Sequence, residues 1–349
     1  MSMKIGKFEI GRGHKPFVIA EMSGNHNGSL ERALGIVDAI AASGAQALKL
    51  QTYTADTMTI DFAEREFFIS DPKSLWHGKS LYQLYQEAYT PWAWHEPIFR
   101  RAEAHGMVAF STPFDASAVD FLESLGVPAY KVASFENTDL ELIRRVAATG
   151  KPMIISTGMA SVAEIHEAAE AARGAGCSNL ALLKCTSSYP ADPSASNLAA
   201  IPLMRKVFGC EIGLSDHTLG IGAAIASVAL GATIIEKHVT LRRSDGGVDS
   251  AFSMEPAELA QLVVECDVGR RAIGSERIEP SEAEQSSRVF RRTLYVVEDI
   301  AANTELTPRN LRAIRPGLGL AAGRITEVMG KRVGRAVLRG TPFNWDLLA

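Results

Sequence analysis

At 349 residues the chain is longer than a typical single domain, and its 46% hydrophobic content suffices for one large core with a small second domain beside it. A formal charge of −4 excludes general nucleic-acid affinity, so an anionic ligand has to be held by a few local Lys and Arg side chains. Cys177, Cys185, Cys210 and Cys266 lack CxxC spacing and the first residues lack an apolar signal core; this argues against a zinc ribbon or a disulfide framework and fits a reducing, cytoplasmic compartment.

Short β-type runs recur at 17–20, 47–51, 107–111, 129–133, 153–157, 180–185, 211–214 and 233–238, each followed by an amphipathic or Ala-rich stretch. Uniformly apolar strands separated by helices belong to parallel sheets covered on both faces, and eight such units predict an α/β fold closed as a (β/α)8 barrel. An open doubly wound sheet is the alternative. It would carry GxGxxG after its first strand, where Glu21-Met22-Ser23-Gly24-Asn25-His26-Asn27-Gly28 stands instead. The uncharged run 218–235 is broken by Gly220, Gly222 and Gly231, which predicts a buried helix, a turn and a strand rather than a membrane span. A helix at 256–273 closes the barrel and a polar linker follows at 274–287. From 288 onward, short strands at 293–297, 311–314 and 332–337 are punctuated by Gly and Pro. The expected division is a barrel over 1–280 and a small domain over 281–349 that completes or covers the barrel's site.

Barrel enzymes place their chemistry at the C-terminal ends of the strands, and the polar residues of this chain gather there. Glu21 and Asn25 follow the first strand, Lys49 and Gln51 end the second, and Ser111 and Thr112 end the third. Lys131, Ser134 and Glu136 end the fourth, Ser156 and Thr157 the fifth, Thr186, Ser187 and Tyr189 the sixth, Ser215, Asp216 and His217 the seventh, and Glu236 and His238 the eighth. Ser111, Thr157 and Ser215 could equally cap the helices that follow. Lys49 and Lys131 sit inside apolar runs, where a buried ammonium needs an anion; a bound phosphate or carboxylate is expected, with a salt bridge to Glu21 or Glu136 as the alternative. His217 and His238 end adjacent strands and can share one divalent ion, leaving its other positions to water and substrate. Glu236, on the face of His238, is expected to reach the ion through water, to orient that ring or to pair with the neighbours of Lys237. The long insertion 61–95 should lie over the catalytic face, with Tyr82, Tyr85 and Tyr89 at helical spacing and so turned to packing; Trp76 and His77 stay open.

These residues resemble the sialic acid synthase family. The likeness runs through Ile19-Ala20-Glu21 with Asn25-His26-Asn27-Gly28, Lys49-Leu50-Gln51, Ser111-Thr112-Pro113-Phe114, Tyr130-Lys131, Ser156-Thr157-Gly158-Met159, Lys184-Cys185-Thr186, Tyr189-Pro190, Gly213-Leu214-Ser215-Asp216-His217 and Glu236-Lys237-His238. Tyr130-Lys131-Val132-Ala133-Ser134-Phe135-Glu136 and the segment from Leu75-Trp76 to Trp94-His95 look like the pseudaminic acid branch of that family. Neuraminate synthases usually carry Gly where Phe135 stands. The resemblance implies a TIM barrel followed by an antifreeze-like domain of the β-clip type. It further implies condensation of phosphoenolpyruvate (PEP) with a 2,4-diacetamido-2,4,6-trideoxy hexose, with release of phosphate by C–O cleavage.

On that resemblance Lys49, Thr112, Lys131, Ser134, Ser156, Ser187 and Ser215 hold PEP. Glu21, Gln51, Tyr189, Asp249, Phe290 and Arg315 contact the sugar, and His217 and His238 bind a divalent ion, manganese first, with magnesium or cobalt as substitutes. Glu21, with Glu136 behind it, handles the attacking water. The C-terminal domain is expected to reach across a domain-swapped homodimer, so that Arg315 and Phe290 enter the partner's site; no nucleic acid or membrane is involved. Three other readings stay open. The first is synthesis of neuraminate or legionaminate. The second is a metal-dependent barrel hydrolase, which ordinarily needs more ligands than two histidines. The third is a non-catalytic sugar-binding protein on the same scaffold.

Overall fold

Strands buried on both faces need a helix layer outside and filled layers inside, and the chain supplies both. The computed structural model describes residues 3–349. A hairpin of β1 (Met3–Ile5) and β2 (Phe8–Ile10) leads in, turning at Gly6, whose φ of 55° favours glycine. It inserts Met3, Ile5 and Ile10 into the main core, with Gly6 against Val108 at the start of a barrel strand. The hairpin therefore sits at the end of the barrel away from the polar strand tips.

The barrel strands are β3 (Phe17–Glu21), β4 (Ala47–Thr52), β5 (Val108–Pro113), β6 (Tyr130–Val132), β7 (Met153–Ser156), β8 (Leu180–Cys185), β9 (Glu211–Ser215) and β10 (Ile234–His238). They pair in sequence order, all parallel, and β10 closes on β3. Residues paired in register share a face of the sheet. His238 pairs with Glu21, Glu21 with Lys49, Gln51 with Thr112, and Ser215 with both Cys185 and Glu236. That register delivers the polar strand ends to one mouth.

The Ala-rich run resolves into a helix at Gly222–Ala229, a turn at Gly231 (φ 99°) and β10. Among the described residues no helix is long and apolar enough to cross a membrane. Helix Pro256–Ile273 packs on Leu30–Ser43 and Gly222–Ala229, completing the outer layer. All four cysteines are free and buried.

The chain divides into two compact units, the first ending at Gly274 and the second spanning Ser275–Ala349. The stretch expected as a linker is partly helical: Glu282–Gln285 forms a turn whose capping box pairs Ser281 with Glu284. In the second unit β11 (Thr293–Val296) pairs antiparallel with β12 (Leu311–Ile314) over a core of Leu294, Val296, Leu306, Leu311, Val333 and Phe343. The strand expected at 332–337 does not form. Arg332, Val333 and Val337 each bridge a different segment, through Glu305, Leu348 and Ile300 respectively, so no continuous ladder develops.

Candidate active site

A cavity of about 430 Å³ opens at the C-terminal ends of the strands, within the size range of small-molecule sites. It is lined by Glu21, Lys49, Gln51, Lys131, Ser134, Glu136, Ser156, Tyr189, Ser215, His217, Glu236, His238 and Asp249. Thr112 lies beside Gln51 in the strand register and is buried, its hydroxyl without a partner. Ser187 is half-buried behind Gly158 and 4.0 Å from Cys185 Sγ. Phe290 and Arg315 belong to the second unit, and both are exposed.

The floor of the cavity is an ion network. Lys49 Nζ lies 2.9 Å from Glu21 Oε2 and 2.9 Å from Glu236 Oε1, and Lys131 Nζ lies 3.2 Å from that same Glu236 oxygen. Ser215 donates to Glu236 at 3.2 Å and Gln51 donates to Glu21 at 2.8 Å. The lysines are thus paired to carboxylates, Lys49 with Glu21 as the alternative reading had it. Glu236 does not hydrogen-bond His238; one of its oxygens ties the two lysines together, and the other has no partner. Lys237, one residue on, points to the opposite face and pairs with Asp216 at 3.0 Å. Ser215 is not a helix cap, since the next helix begins at Gly222 with Ile221 before it, and its hydroxyl donates to Glu236.

These contacts set the charge states. Burial pushes Glu21 up, but His238 and Lys49 outweigh it and hold the carboxyl well below the usual range. Burial works against the charged form of Lys49 too, yet Glu21 and Glu236 raise it. Lys131 is lowered by burial, with Lys49 adding to the effect and Glu236 opposing it. Glu136 differs from Glu21: burial lifts it to about 7, against only partial relief from Lys131. Its Oε2 has no hydrogen-bond partner. A carboxyl poised near neutrality with a free oxygen is suited to move a proton.

The imidazoles meet. His217 and His238 have ring centroids 5.4 Å apart, with Phe252 and Tyr189 packed against them. His217 Nδ1 is 3.0 Å from the Thr186 carbonyl, so Nδ1 carries the proton and Nε2 the lone pair. His238 Nε2 is 3.1 Å from Glu21 Oε2, while its Nδ1 has no hydrogen-bond partner and lies 3.8 Å from Asp249 Oδ2. One nitrogen on each ring is left for a ligand. Among the described residues no group of three or more His, Cys, Asp and Glu side chains is arranged to cage a metal. The pair suits an open site completed by water and substrate, not a closed structural one.

Beside the lysines, Ser134 Oγ accepts from the Gly158 amide at 3.1 Å, and the Ser156 hydroxyl is buried without a partner. A Cβ on Gly158 would collide with Ser134 and Ser187, so only glycine lets the two hydroxyls approach this backbone. Cys185 has no role in the sequence reading, yet it lines the cavity; burial opposes its ionisation, but His217, with Ser134 and Lys131, brings the thiol down to about 7.

The insertion covers the mouth as expected, though its tyrosines divide. Tyr85 lines the cavity instead of packing outside it, whereas the Tyr82 hydroxyl turns to Asp56 at 3.0 Å. Trp76 is a wall residue, its indole N–H given to the Val248 carbonyl at 2.8 Å, while His77 is exposed. Helical spacing put the three tyrosines on one face and assigned them all to packing; it could not show that Tyr85 reaches the cavity.

Residues 36–277 match the model of the NeuB family and residues 291–349 that of the SAF domain. A pseudaminic acid synthase from Helicobacter pylori is 40% identical over 333 residues, 95% of this chain and 97% of that one. An N,N'-diacetyllegionaminic acid synthase from Campylobacter jejuni is 35% identical, over 91% of this chain and 95% of the relative. Among solved structures, an N-acetylneuraminic acid (sialic acid) synthetase from Leptospira borgpetersenii in complex with citrate superposes with a TM-score of 0.74 at 32% identity, covering 82% of this chain and 95% of that one.

Proposed function

The chain belongs to the NeuB family and carries a SAF domain, and from that premise we propose that it joins PEP to a 2,4-diacetamido-2,4,6-trideoxy hexose to make a pseudaminic-acid-type nonulosonic acid. The observation that carries this reading is the set of buried polar atoms without partners. Glu136 Oε2, Ser156 Oγ, Glu236 Oε2 and His238 Nδ1 all belong to residues lining one cavity, where buried polar groups are ordinarily satisfied. Such a concentration marks the place a polar ligand fills.

In this reading C3 of PEP attacks the open-chain aldehyde, water adds at C2, and the C2–O bond breaks to release phosphate, so that PEP, aldehyde and one water give the nine-carbon keto acid and phosphate. Lys131, Ser134, Ser156, Ser187, Ser215 and Thr112 hold the phosphate and carboxylate. Lys49 keeps Glu21 and Glu236 ionised and fixed. Glu136 accepts the proton of the attacking water; Glu21, already engaged by Lys49, Gln51 and His238, orients the sugar together with Gln51, Tyr189 and Asp249. His217 and His238 would hold a divalent cation, manganese before magnesium or cobalt, and when bound that ion polarises the aldehyde oxygen. Because Lys49 and Lys131 are spent largely on carboxylates, a trianionic substrate calls for further positive charge. A homodimer in which the exposed Arg315 of each protomer, with Phe290 beside it, enters the other's cavity would provide it. The four free cysteines fit work in a reducing cytoplasm.

The test is phosphate release from PEP with a panel of acceptors, with manganese and with a chelator. Release with the 2,4-diacetamido-2,4,6-trideoxy sugar of the pseudaminic series, lost on chelation, supports the reading. Preference for the legionaminic isomer or for a 2-acetamido hexose reassigns the acceptor, and hydrolysis of PEP without any acceptor contradicts the synthase.

A further inference from the structure

Lys237 stands between Glu236 and His238 on β10, yet its side chain does not line the cavity. It is 1% exposed, and its ammonium donates to three acceptors in one short segment, the turn that leaves β9: Asp216 Oδ2 at 3.0 Å, Thr218 O at 2.5 Å and Gly220 O at 3.2 Å. The other Asp216 oxygen accepts from the Thr218 amide at 2.9 Å, so the carboxylate braces the same turn. On helix Pro256–Ile273, Glu258 is lowered by Arg243 first and by Lys237 after it, and Cys266 is raised by burial and then by Asp216, which places the pair on the helix side of the sheet. A buried ion pair is a poor source of stability, because desolvation of both charges offsets most of their attraction and apolar residues of similar volume commonly serve as well. Apolar residues would leave the Thr218 and Gly220 carbonyls without this donor, and those bonds fix the path of the turn.

His217 lies inside the clasped segment. Its neighbours on both sides, Asp216 and Thr218, are held by Lys237, its own carbonyl accepts from the Ala191 amide at 2.9 Å, and its ring is fixed by the Thr186 carbonyl. His238 is the residue that follows Lys237. One ammonium thus ties the backbone that carries the first imidazole to the backbone that carries the second. Taking the two-histidine cation site of the proposed reaction as given, we propose that Lys237 is a positioning residue. By holding the 216–220 turn against β10 it sets the separation of His217 from His238, and with it the affinity for the divalent ion. A site with only two imidazoles has no further protein nitrogen to make up for a displaced one, so its affinity depends on that separation.

The experiment titrates manganese into the full-length protein without substrates and reads the free ion by electron paramagnetic resonance, for the wild type, His217→Ala, Lys237→Met and Lys237→Met/Asp216→Asn. The double variant leaves no lone buried charge, so its melting temperature should stay near that of the wild type. Disturbing the groups that orient a metal ligand commonly costs about 10- to 100-fold in affinity, and a loss in that range is expected in both Lys237 variants. In steady-state assays the manganese concentration for half-maximal turnover should rise by the same factor, kcat should recover in excess manganese, and the KM for PEP should stay within about twofold. Wild-type manganese affinity in the double variant, or a double variant that no longer folds, overturns the positioning role and leaves the two-histidine site standing. A loss of turnover that excess manganese does not repair, or a KM for PEP that rises alongside, marks a general distortion and overturns it too. A wild type that binds manganese no better than His217→Ala overturns the cation site itself, and the positioning role with it.

Discussion

Removing the Lys49 ammonium while keeping its stem, as in Lys49→Met, isolates the ion network from the rest of the fold. Lys49 Nζ is 2.9 Å from each of two carboxylates, and all three side chains are almost wholly buried. Taking away one partner of a buried pair typically costs about 3–5 kcal/mol, because the other charge is left without compensation. Here Lys131 still serves Glu236, and Gln51 and His238 still serve Glu21, so the loss should fall near the lower limit, about 3 kcal/mol at pH 8. Its pH dependence gives the reasoning a second handle. In the wild type Glu21 is depressed when folded, so its contribution is present above the unfolded carboxylate range and is lost only as pH falls through the low folded value. Without Lys49, burial is opposed less and the folded Glu21 moves up; protonation then relieves the variant as pH drops, at about 1.4 kcal/mol per pKa unit. Urea unfolding of both proteins at pH 8 and pH 5 should therefore show a gap that narrows on acidification, and Lys49→Met/Glu21→Gln should recover part of the loss at pH 8. Equal stability at pH 8, or a gap independent of pH, would refute the pairing.

Other perturbations separate binding from chemistry. Gly158→Ala should raise the KM for PEP by about tenfold or more, with a much smaller change for the sugar, because the added methyl displaces Ser134 and Ser187; steady-state kinetics with each substrate varied will show it. Glu136→Gln should lower kcat by about a hundredfold or more and abolish the acid limb of the rate profile, since the ionised form is the active one and is lost below about pH 7. An unchanged profile would remove Glu136 from proton transfer. His26 and His95 are held neutral by burial, each brought down to about 4, so the unfolded chain takes up protons between about pH 6.5 and 4 that the native one refuses. Glu136, raised when folded, works in the opposite sense over the same range, so in Glu136→Gln stability should fall across that window by about 3 kcal/mol per histidine, and a urea midpoint of that variant that is flat from pH 7 to 4.5 would contradict it.

The barrel was legible because its strands are uniformly apolar runs at regular intervals with polar tips, a pattern that survives without any knowledge of side-chain geometry. The convergence of His217 with His238 followed from their equivalent places on neighbouring strands. Partner choice inside the cavity did not follow. Whether Glu236 turns toward His238 or toward Lys49 and Lys131 depends on how the strands are staggered around the closed barrel, and alternation along one strand says nothing of that stagger. In sequence Glu21 stands ahead of Glu136 for the attacking water; Glu21 lies against His238 and Lys49, whereas Glu136 is buried with only partial relief from Lys131 and keeps a free oxygen, and those surroundings separate their proton affinities. The lapse at 332–337 has the same origin, since a run of β-type residues does not reveal that its members bridge three different segments.

PEP labelled with oxygen-18 in the C2–O–P bridge, incubated with manganese and the 2,4-diacetamido-2,4,6-trideoxy hexose, puts the whole arrangement to one question by mass spectrometry. Label recovered in phosphate, in step with a nine-carbon keto acid, is the result expected if this cavity joins the two substrates with C–O cleavage. Label retained in the organic product, or phosphate formed alongside pyruvate and unchanged sugar, would contradict it.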